Sequence, residues 1–532
     1  MYRFCLVAFA VLTLTFRLAY LESYPFGFSG HAIGHSVARV SIYKWLFVNP
    51  LSFEQLKALL AYLVSDQHAP QSLLEAILTP IFGFGLSGSR LMVSALGLLS
   101  VAFIVLWGTA ARDKWLGLCL GLCIGLSPYF LYFSRNGDSE HVNIYLQGFL
   151  LFYAAQRVIG YGKPYDFALL GLATGWSLWV YATNQALCAI VIASLILVAV
   201  VQQRRAFSWR SLLYWGLAFV IAAIIMWPQL ASYVQRGRPI PVRTPYGNPA
   251  HEVTNLAMLP GRYVEAWRNL FSYVGDPWFT KAYGPMVDYS LLLLVPGIVT
   301  LIAILRNKAT DSEDRAKYYH YRDSWLFLAL ATLGLAVLGV FPGILSPEST
   351  FRRLVLTPIG LDIIKGIGLY GIGIYLVKKL PQRLAVVSLG CITIGYSLLA
   401  WDSFYYQSSA HESNSTNSLT AVVREMSHRL KAKEPCLLFL PDNQGHIARA
   451  AVKQFLTFDL GFSTELPPEV KFLDVQDLTN LPLKDVIVPA GTLEQIGRAN
   501  PALPPGIAIE NVRLSSNRAG RTVALVNFVS RP

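Results

Sequence analysis

Ser134-Arg135-Asn136-Gly137-Asp138-Ser139-Glu140-His141 brings two carboxylates, a guanidinium and an imidazole together at the edge of an apolar run. A carboxylate can take the proton of an incoming hydroxyl, and a guanidinium can grip a phosphate. The plainer account is a polar turn whose Asp138 caps the following helix. Charge beside a membrane span is costly unless it faces water or a partner. That cost favours chemistry here, with Asp138 and Glu140 as acceptor or metal contacts and Arg135 in support.

Four further groups could contribute. Ser65-Asp66-Gln67-His68-Ala69-Pro70 pairs an acid with an imidazole, although alone it reads as a loop ending in a helix-starting proline. Ser349-Thr350-Phe351-Arg352-Arg353 offers two guanidiniums, which can hold a phosphate or reach lipid head groups. Gly275-Asp276, followed by Gly284-Pro285 and Asp288, is by itself turn chemistry. His31 and His35 stand four apart and would share a helix face, so with His141 or Asp138 they could clasp a divalent metal. Asp362 and Lys365, inside an apolar stretch, most simply neutralise each other.

The elements that must position these groups are membrane helices. Of 532 residues, 54% are hydrophobic and 14% charged, with mean hydropathy +0.45. An ordinary soluble domain carries about 25% charged residues, so a soluble globular enzyme is excluded. About eleven apolar stretches are long enough to approach a bilayer's thickness: 4-20, 91-110, 116-133, 142-157, 167-182, 184-202, 211-228, 288-305, 324-345, 354-377 and 384-401. The first has no small-residue cleavage site and reads as an anchor rather than a signal peptide.

Net charge is +13, but residues 403-532 hold 13 Lys and Arg against 12 Asp and Glu, so nearly all the excess sits in the apolar part. It falls at Arg112/Lys114, Arg157/Lys163, Arg204/Arg205/Arg210, Arg306 through Arg322, and Lys378/Lys379/Arg383. These turns share one side if the N-terminus is cytoplasmic, and nucleic-acid binding gains no support. The loops 21-90 and 229-287 and the tail then face outward. In the first loop, Leu73-Leu74-x-x-Ile77-Leu78 with Ile81-Phe82 has helical spacing but is too short to span, which predicts a helix lying on the membrane surface.

Beyond a polar linker, 403-417, the tail alternates elements. The pattern predicts helices at 419-430, 446-456 and 492-498, strands at 436-440, 470-474 and 485-489, and a hairpin of 506-515 with 521-529. It has no Gly-rich phosphate loop and no nucleophile elbow. Of six cysteines only Cys436 lies there, so the tail has no internal disulfide. The fold class is therefore an α-helical polytopic membrane protein, domain 1-402, with surface-lying helices in its first outer loop and a small C-terminal α/β soluble domain, 418-532.

Several of these motifs, in this order, resemble the bacterial relatives of protein O-mannosyltransferases. They are Arg17-Leu18-x-x-Leu21-Glu22-x-x-Pro25-x-Gly27, Ser134-Arg135, Gly275-Asp276 with Pro285 and Asp288, and Arg352-Arg353 with Pro358. Asp66-Gln67-His68-Ala69-Pro70 is similar to that family's Asp-x-His-Pro-Pro run with one proline lost. Those proteins are GT-C fold glycosyltransferases that use polyprenyl-phosphate-linked sugars.

The resemblance implies an inverting transfer at the outer face of the plasma or inner membrane. The donor would be a polyprenyl-phosphate-linked sugar entering from the membrane lipids, and the acceptor a glycan, lipid or protein. It implies a carboxylate or imidazole base among His31, Asp66, Asp138 and Glu140, with Arg135, Arg352, Arg353, His68 and Asp276 on substrate. One departure stands out. Where the family has an Asp-Glu pair before Ala, this chain has Gly30-His31 before Ala32. Two rival functions follow: a flippase for a lipid-linked sugar, or an inactive GT-C-like scaffold of an envelope assembly.

Overall fold

Long apolar runs away from water leave the backbone one local way to satisfy its N–H and C=O groups, and the chain takes it as helices. The computed structural model describes residues 2–19, 21, 39–48, 52–65, 69–135, 139–179, 182–202, 209–236, 259–271, 289–306, 315–344, 354–402, 414–439, 452–453, 456, 468–473, 476–479, 482–489, 503, 507–517 and 520–530. After α1 (Tyr2–Leu18) and a π-helical turn (Lys44–Val48) come α2 (Phe53–Ser65), α3 (Ala69–Phe82), α4 (Gly85–Ala111), α5 (Lys114–Gly125) and α6 (Pro128–Phe133). Then follow α7 (Ser139–Gly160), α8 (Pro164–Trp179), α9 (Ala182–Gln202), α10 (Trp209–Ile225), α11 (Trp227–Arg236) and α12 (Leu259–Phe271). The helical part ends with α13 (Leu294–Arg306), α14 (Arg315–Leu338), α15 (Phe341–Ile344), α16 (Leu356–Lys379) and α17 (Gln382–Asp402).

By length and composition four of these helices can cross a membrane: Ser87–Ala111, Thr183–Val201, Leu356–Lys379 and Gln382–Asp402. Lys114–Gly125, Leu212–Ile225, Leu291–Arg306 and Asp323–Leu338 are apolar but shorter. The chain is an integral membrane protein, with four helices of this length among the described residues. The expected single stretch 116-133 is two helices rather than one. Pro128 at the first position of α6 has no N–H to continue the ladder of α5.

α4 is the centre of the bundle, packed against α1, α3, α5 and α7, while α16 packs on α5, α13 and α14. Between them runs one apolar core, with Trp107 of α4 stacked on Phe152 of α7 at 4.5 Å between ring centroids. Small residues set the closest approaches. Gly171 and Gly175 of α8 lie against Ala218 and Ala222 of α10, and a β-carbon on either glycine would meet the Ala218 or Ala222 carbonyl within 2.4 and 2.7 Å. Such small-x-x-x-small pairs let membrane helices pack backbone to backbone.

The two ends of the bundle differ. At one, Lys114 lies over the ring of Tyr2 (4.9 Å), Arg157 Nε bonds Asp166 Oδ1 (2.6 Å), and Asp113 caps α5 by accepting from the N–H groups of Trp115 and Leu116 (2.9 and 3.0 Å). At the other, α2 packs on α11 and α12 on α15. Val40 and partly buried Phe84 there join the core of the C-terminal unit. The first loop and the C-terminal unit therefore share a side, opposite the basic turns Arg112/Lys114 and Arg157/Lys163.

In the first loop α3 buries a polar stripe, Gln71, Ser72, Glu75 and Thr79, alongside Ala69 and Ala76, and exposes Ile77 and Ile81, while α2 buries Leu59 and Leu63 and exposes Phe53, Leu56 and Leu60 together with Glu54 and Lys57. An apolar outer stripe suits acyl chains rather than water.

The C-terminal unit is α18 (Asn414–Lys431) on a five-stranded sheet. Its strands are β1 (Cys436–Phe439), β2 (Val470–Leu473), β3 (Leu483–Pro489), β4 (Ile507–Asn517) and β5 (Gly520–Ser530), in the order β2-β1-β3-β5-β4. β1 runs parallel to β2 and β3, and β5 is antiparallel to β3 and β4. Alternation along the strands sends Leu438 and Ile487 toward Val422, Val423 and Met426 of α18, and Phe439, Val486 and Val488 to the other face. Of the expected helices, 492-498 lies outside the described residues. So does most of 446-456, although Val452 and Leu456 are buried on the α18 side.

Candidate functional site

Buried polar side chains gather at the loop end, around the first turns of α4. Arg39, just before the π-helical turn, is closed off from solvent. Its Nε donates to Thr79 Oγ1 (2.7 Å), Nη1 to Ser89 Oγ (2.8 Å) and Nη2 to the Gly83 carbonyl (2.6 Å), with the guanidinium 5.9 Å from the Phe84 ring. Gly83 and Gly85 hold φ of +79° and +86°, a left-handed bend that turns the chain from α3 into α4. Glu75 lies one helical turn before Thr79, is 3% exposed, and acts electrostatically on Arg39. Burial lowers the pKa of Arg39 and the Glu75 carboxylate offsets part of that, while the guanidinium is charged in any case.

Three more arginines converge on the end of α1. Helix C-termini present carbonyls with no partner in the helix and a partial negative charge. Arg135, beyond α6, donates to the carbonyls of Phe16 and Ala19, and Arg90 Nη1 to that of Leu21 (2.8 Å). Arg17 Nη1 reaches the Thr13 and Gly125 carbonyls (both 3.2 Å) and lies 5.0 Å from the Phe130 ring. Ser94 Oγ donates to the Ser134 carbonyl (3.1 Å), and Gly97 leaves room for Ser134, whose β-carbon would be 2.5 Å from one placed on the glycine. α4 is thus the rail to which Arg39, the end of α1 and the Ser134-Arg135 turn are all fastened.

A third group is uncharged. Asn143 and Gln147, one turn apart on α7, are fully buried, and Asn184 at the start of α9 donates through Nδ2 to Gln147 Oε1. Among the described residues no partner meets either amide atom of Asn143 or Gln71, Nε2 of Gln147, or Oδ1 of Asn184. An unmet buried amide costs about 1–3 kcal/mol, so this region holds bonding capacity that the described residues do not use.

Of the residues singled out in the sequence, Arg135 lies in this assembly. His141 is buried on α7 and stacked on Phe133, 4.5 Å between centroids. Glu140 is in the first turn of α7, and its side chain lies outside the described residues, as do His31, His35, Asp66, His68, Asp138, Asp276, Arg352 and Arg353. Asp362 and Lys365 are bonded to each other at 3.0 Å, as their spacing implies. Among the described residues no three His, Cys, Asp or Glu side chains gather as a metal ion would need.

Sequence reasoning passed over Arg39, Glu75 and Arg90. A signal was present: Gln71, Glu75 and Thr79 form a polar stripe at four-residue spacing through an otherwise apolar helix.

No family model matches the chain, and no curated protein matches it. Among solved structures it is similar to ArnT from Cupriavidus metallidurans in the apo state, at 12% identity over 98% of this chain and 97% of that one (TM-score 0.47). The same protein bound to undecaprenyl phosphate gives 14% identity over the same shares of the two chains and a TM-score of 0.48. The archaeal oligosaccharyltransferase AglB from Archaeoglobus fulgidus, in complex with an inhibitory peptide and a dolichol-phosphate, is 12% identical over 85% of this chain and 63% of that one (TM-score 0.44).

Proposed function

We propose that this chain is an integral-membrane glycosyltransferase working at the non-cytoplasmic face, where it moves a sugar from a polyprenyl-phosphate carrier to a hydroxyl of a glycan, lipid or protein. The observation that carries the reading lies in helix α3. It turns Ile77 and Ile81 outward and holds Glu75 inward beside Arg39. A carboxylate and a cation are thereby kept just beneath a lipid-facing surface, where an anionic lipid head and an alcohol would have to meet. The order of the short motifs along the chain supports the same reading.

In the reaction, the acceptor oxygen attacks the anomeric carbon, the bond from that carbon to the phosphate oxygen breaks, and the acceptor proton passes to a base. Glu75 joins Asp138, Glu140, Asp66 and His31 as a candidate base. Arg352, Arg353 and Arg135, with His68 and Asp276, are candidates for holding the donor, since fixed cations offset the charge that grows on the leaving phosphate. The C-terminal unit, 418-532, serves as an accessory domain on the same side.

The test is transfer from a radiolabelled polyprenyl-phosphate sugar by the full chain in nanodiscs. Glu75→Gln, Asp138→Ala and Glu140→Ala are each expected to be compared with Asp362→Ala, which should keep its activity. A true base loses more than about tenfold. If all three carboxylate variants turn over like the parent, the assignment of these acids is wrong. Vesicles that flip the lipid without forming product would support a transporter instead.

A further inference from the structure

The arginines and Glu75 account for a phosphate and a proton, but not for the group being moved. We infer that the amides of Asn143, Gln147 and Asn184, bordered by Gln71, form the subsite for the sugar ring of the donor; this rests on the glycosyltransferase reading above.

The argument is one of matching chemistry. A sugar hydroxyl both donates and accepts, so its best uncharged partners are side chains that do both, and amides do. The bond from Asn184 Nδ2 to Gln147 Oε1 leaves Gln147 Nε2 as a donor and Asn184 Oδ1 as an acceptor within one bonded pair. One turn along α7, Asn143 adds a complete amide with neither atom met among the described residues. α3 packs on α7 and carries Gln71, whose two amide atoms are likewise unmet.

Trp179, at the end of α8, packs against the apolar cluster that holds Ala69 and Ala76 of α3 with Ile42, Leu59 and Leu63. Its indole N–H is also unmet among the described residues, and a ring beside amides is a suitable floor for a sugar's apolar face. Glu75 is one turn from Gln71 on α3 and on the same buried face. The helix that carries Glu75 therefore packs directly on the one that carries Asn143 and Gln147.

Unpartnered amides inside an apolar bundle weaken the fold, and proteins keep such features at functional positions. That gives a readout a structural role would not produce. In nanodiscs, Asn143→Leu is expected to raise the KM for the polyprenyl-phosphate sugar roughly tenfold. Binding of polyprenyl phosphate without the sugar should stay within about twofold, and the Tm should hold or rise because an unmet polar group has been replaced by an apolar one.

Should Asn143→Leu fail to fold, Asn184→Ala is read in the same two binding assays. Equal weakening of both lipids, or no weakening of either, overturns the subsite. A parent protein that neither transfers sugar nor prefers the sugared lipid overturns the glycosyltransferase reading instead, so the two failures are told apart. A lowered Tm with unchanged lipid preference marks the amides as structural and also overturns the inference.

Discussion

At the end of the bundle that carries the basic turns, Arg157 meets Asp166 with a quarter of its side chain exposed, and exposed Lys114 rests on the ring of Tyr2. At the loop end Arg17, Arg39, Arg90 and Arg135 are all closed off and held mainly by main-chain oxygens and hydroxyls. The same residue type does two jobs. Near water a cation is cheap, and its usefulness is its sign, since basic turns as a class bias the orientation of membrane proteins. Away from water a cation is retained only where its donors are met, and its position becomes rigid. The difference separates a topological signal from a chemical one.

The comparison predicts graded effects. The largest is at Arg39. Arg39→Ala removes the donor to Thr79, Ser89 and the Gly83 carbonyl together, all in a buried setting, and should destabilise the protein by about 3 kcal/mol, measured by unfolding in detergent. A loss below about 1 kcal/mol would show that water replaces these bonds. Next is Gly97→Ala, which drives a β-carbon into Ser134 and toward the Arg17 guanidinium. It should cost about 1–3 kcal/mol and lower transfer, because the Ser134-Arg135 turn must shift.

Lys114→Ala, at the other end, should cost only about 0.5–1 kcal/mol and leave transfer unchanged. A large loss of activity there would erase the distinction between the two ends.

The smallest effect tests whether the closed character of the loop end extends into the C-terminal unit. Burial pushes the Cys436 thiol up from 9.0 to about 11. The folded state thus favours the protonated thiol. Its contribution is complete below pH 9 and is lost as pH rises through about 11. Cys436 should resist a water-soluble maleimide at pH 8 until the unit is unfolded.

Much of the architecture could be read directly, because hydropathy and helical or strand periodicity are local properties. The apolar stretches are helical where described, and all five strands fall close to where the pattern put them, whereas the parting at Ser127-Pro128 interrupts a stretch, 116-133, that read as continuous. The site was less legible. Arg135 drew notice because it stands among other charges, whereas Glu75 sits between Leu74 and Ala76 and looks like one polar residue on an apolar helix. Only packing shows that the polar stripe of α3 faces inward, since the same spacing fits either orientation. Nor could spacing show that Val40 completes the core of a unit that begins hundreds of residues later.

What the sequence determined alone is the solvent each segment prefers, a membrane for the greater part and water for the tail, together with the uneven placing of its charge. Those are sums over neighbouring residues and need no partner. Which arginines are held, which acid is buried beside one of them, and which amides keep unused bonding capacity were decided by tertiary structure. Each depends on groups far apart in the chain that meet in a low-dielectric interior, where a contact or its absence is worth far more than in water.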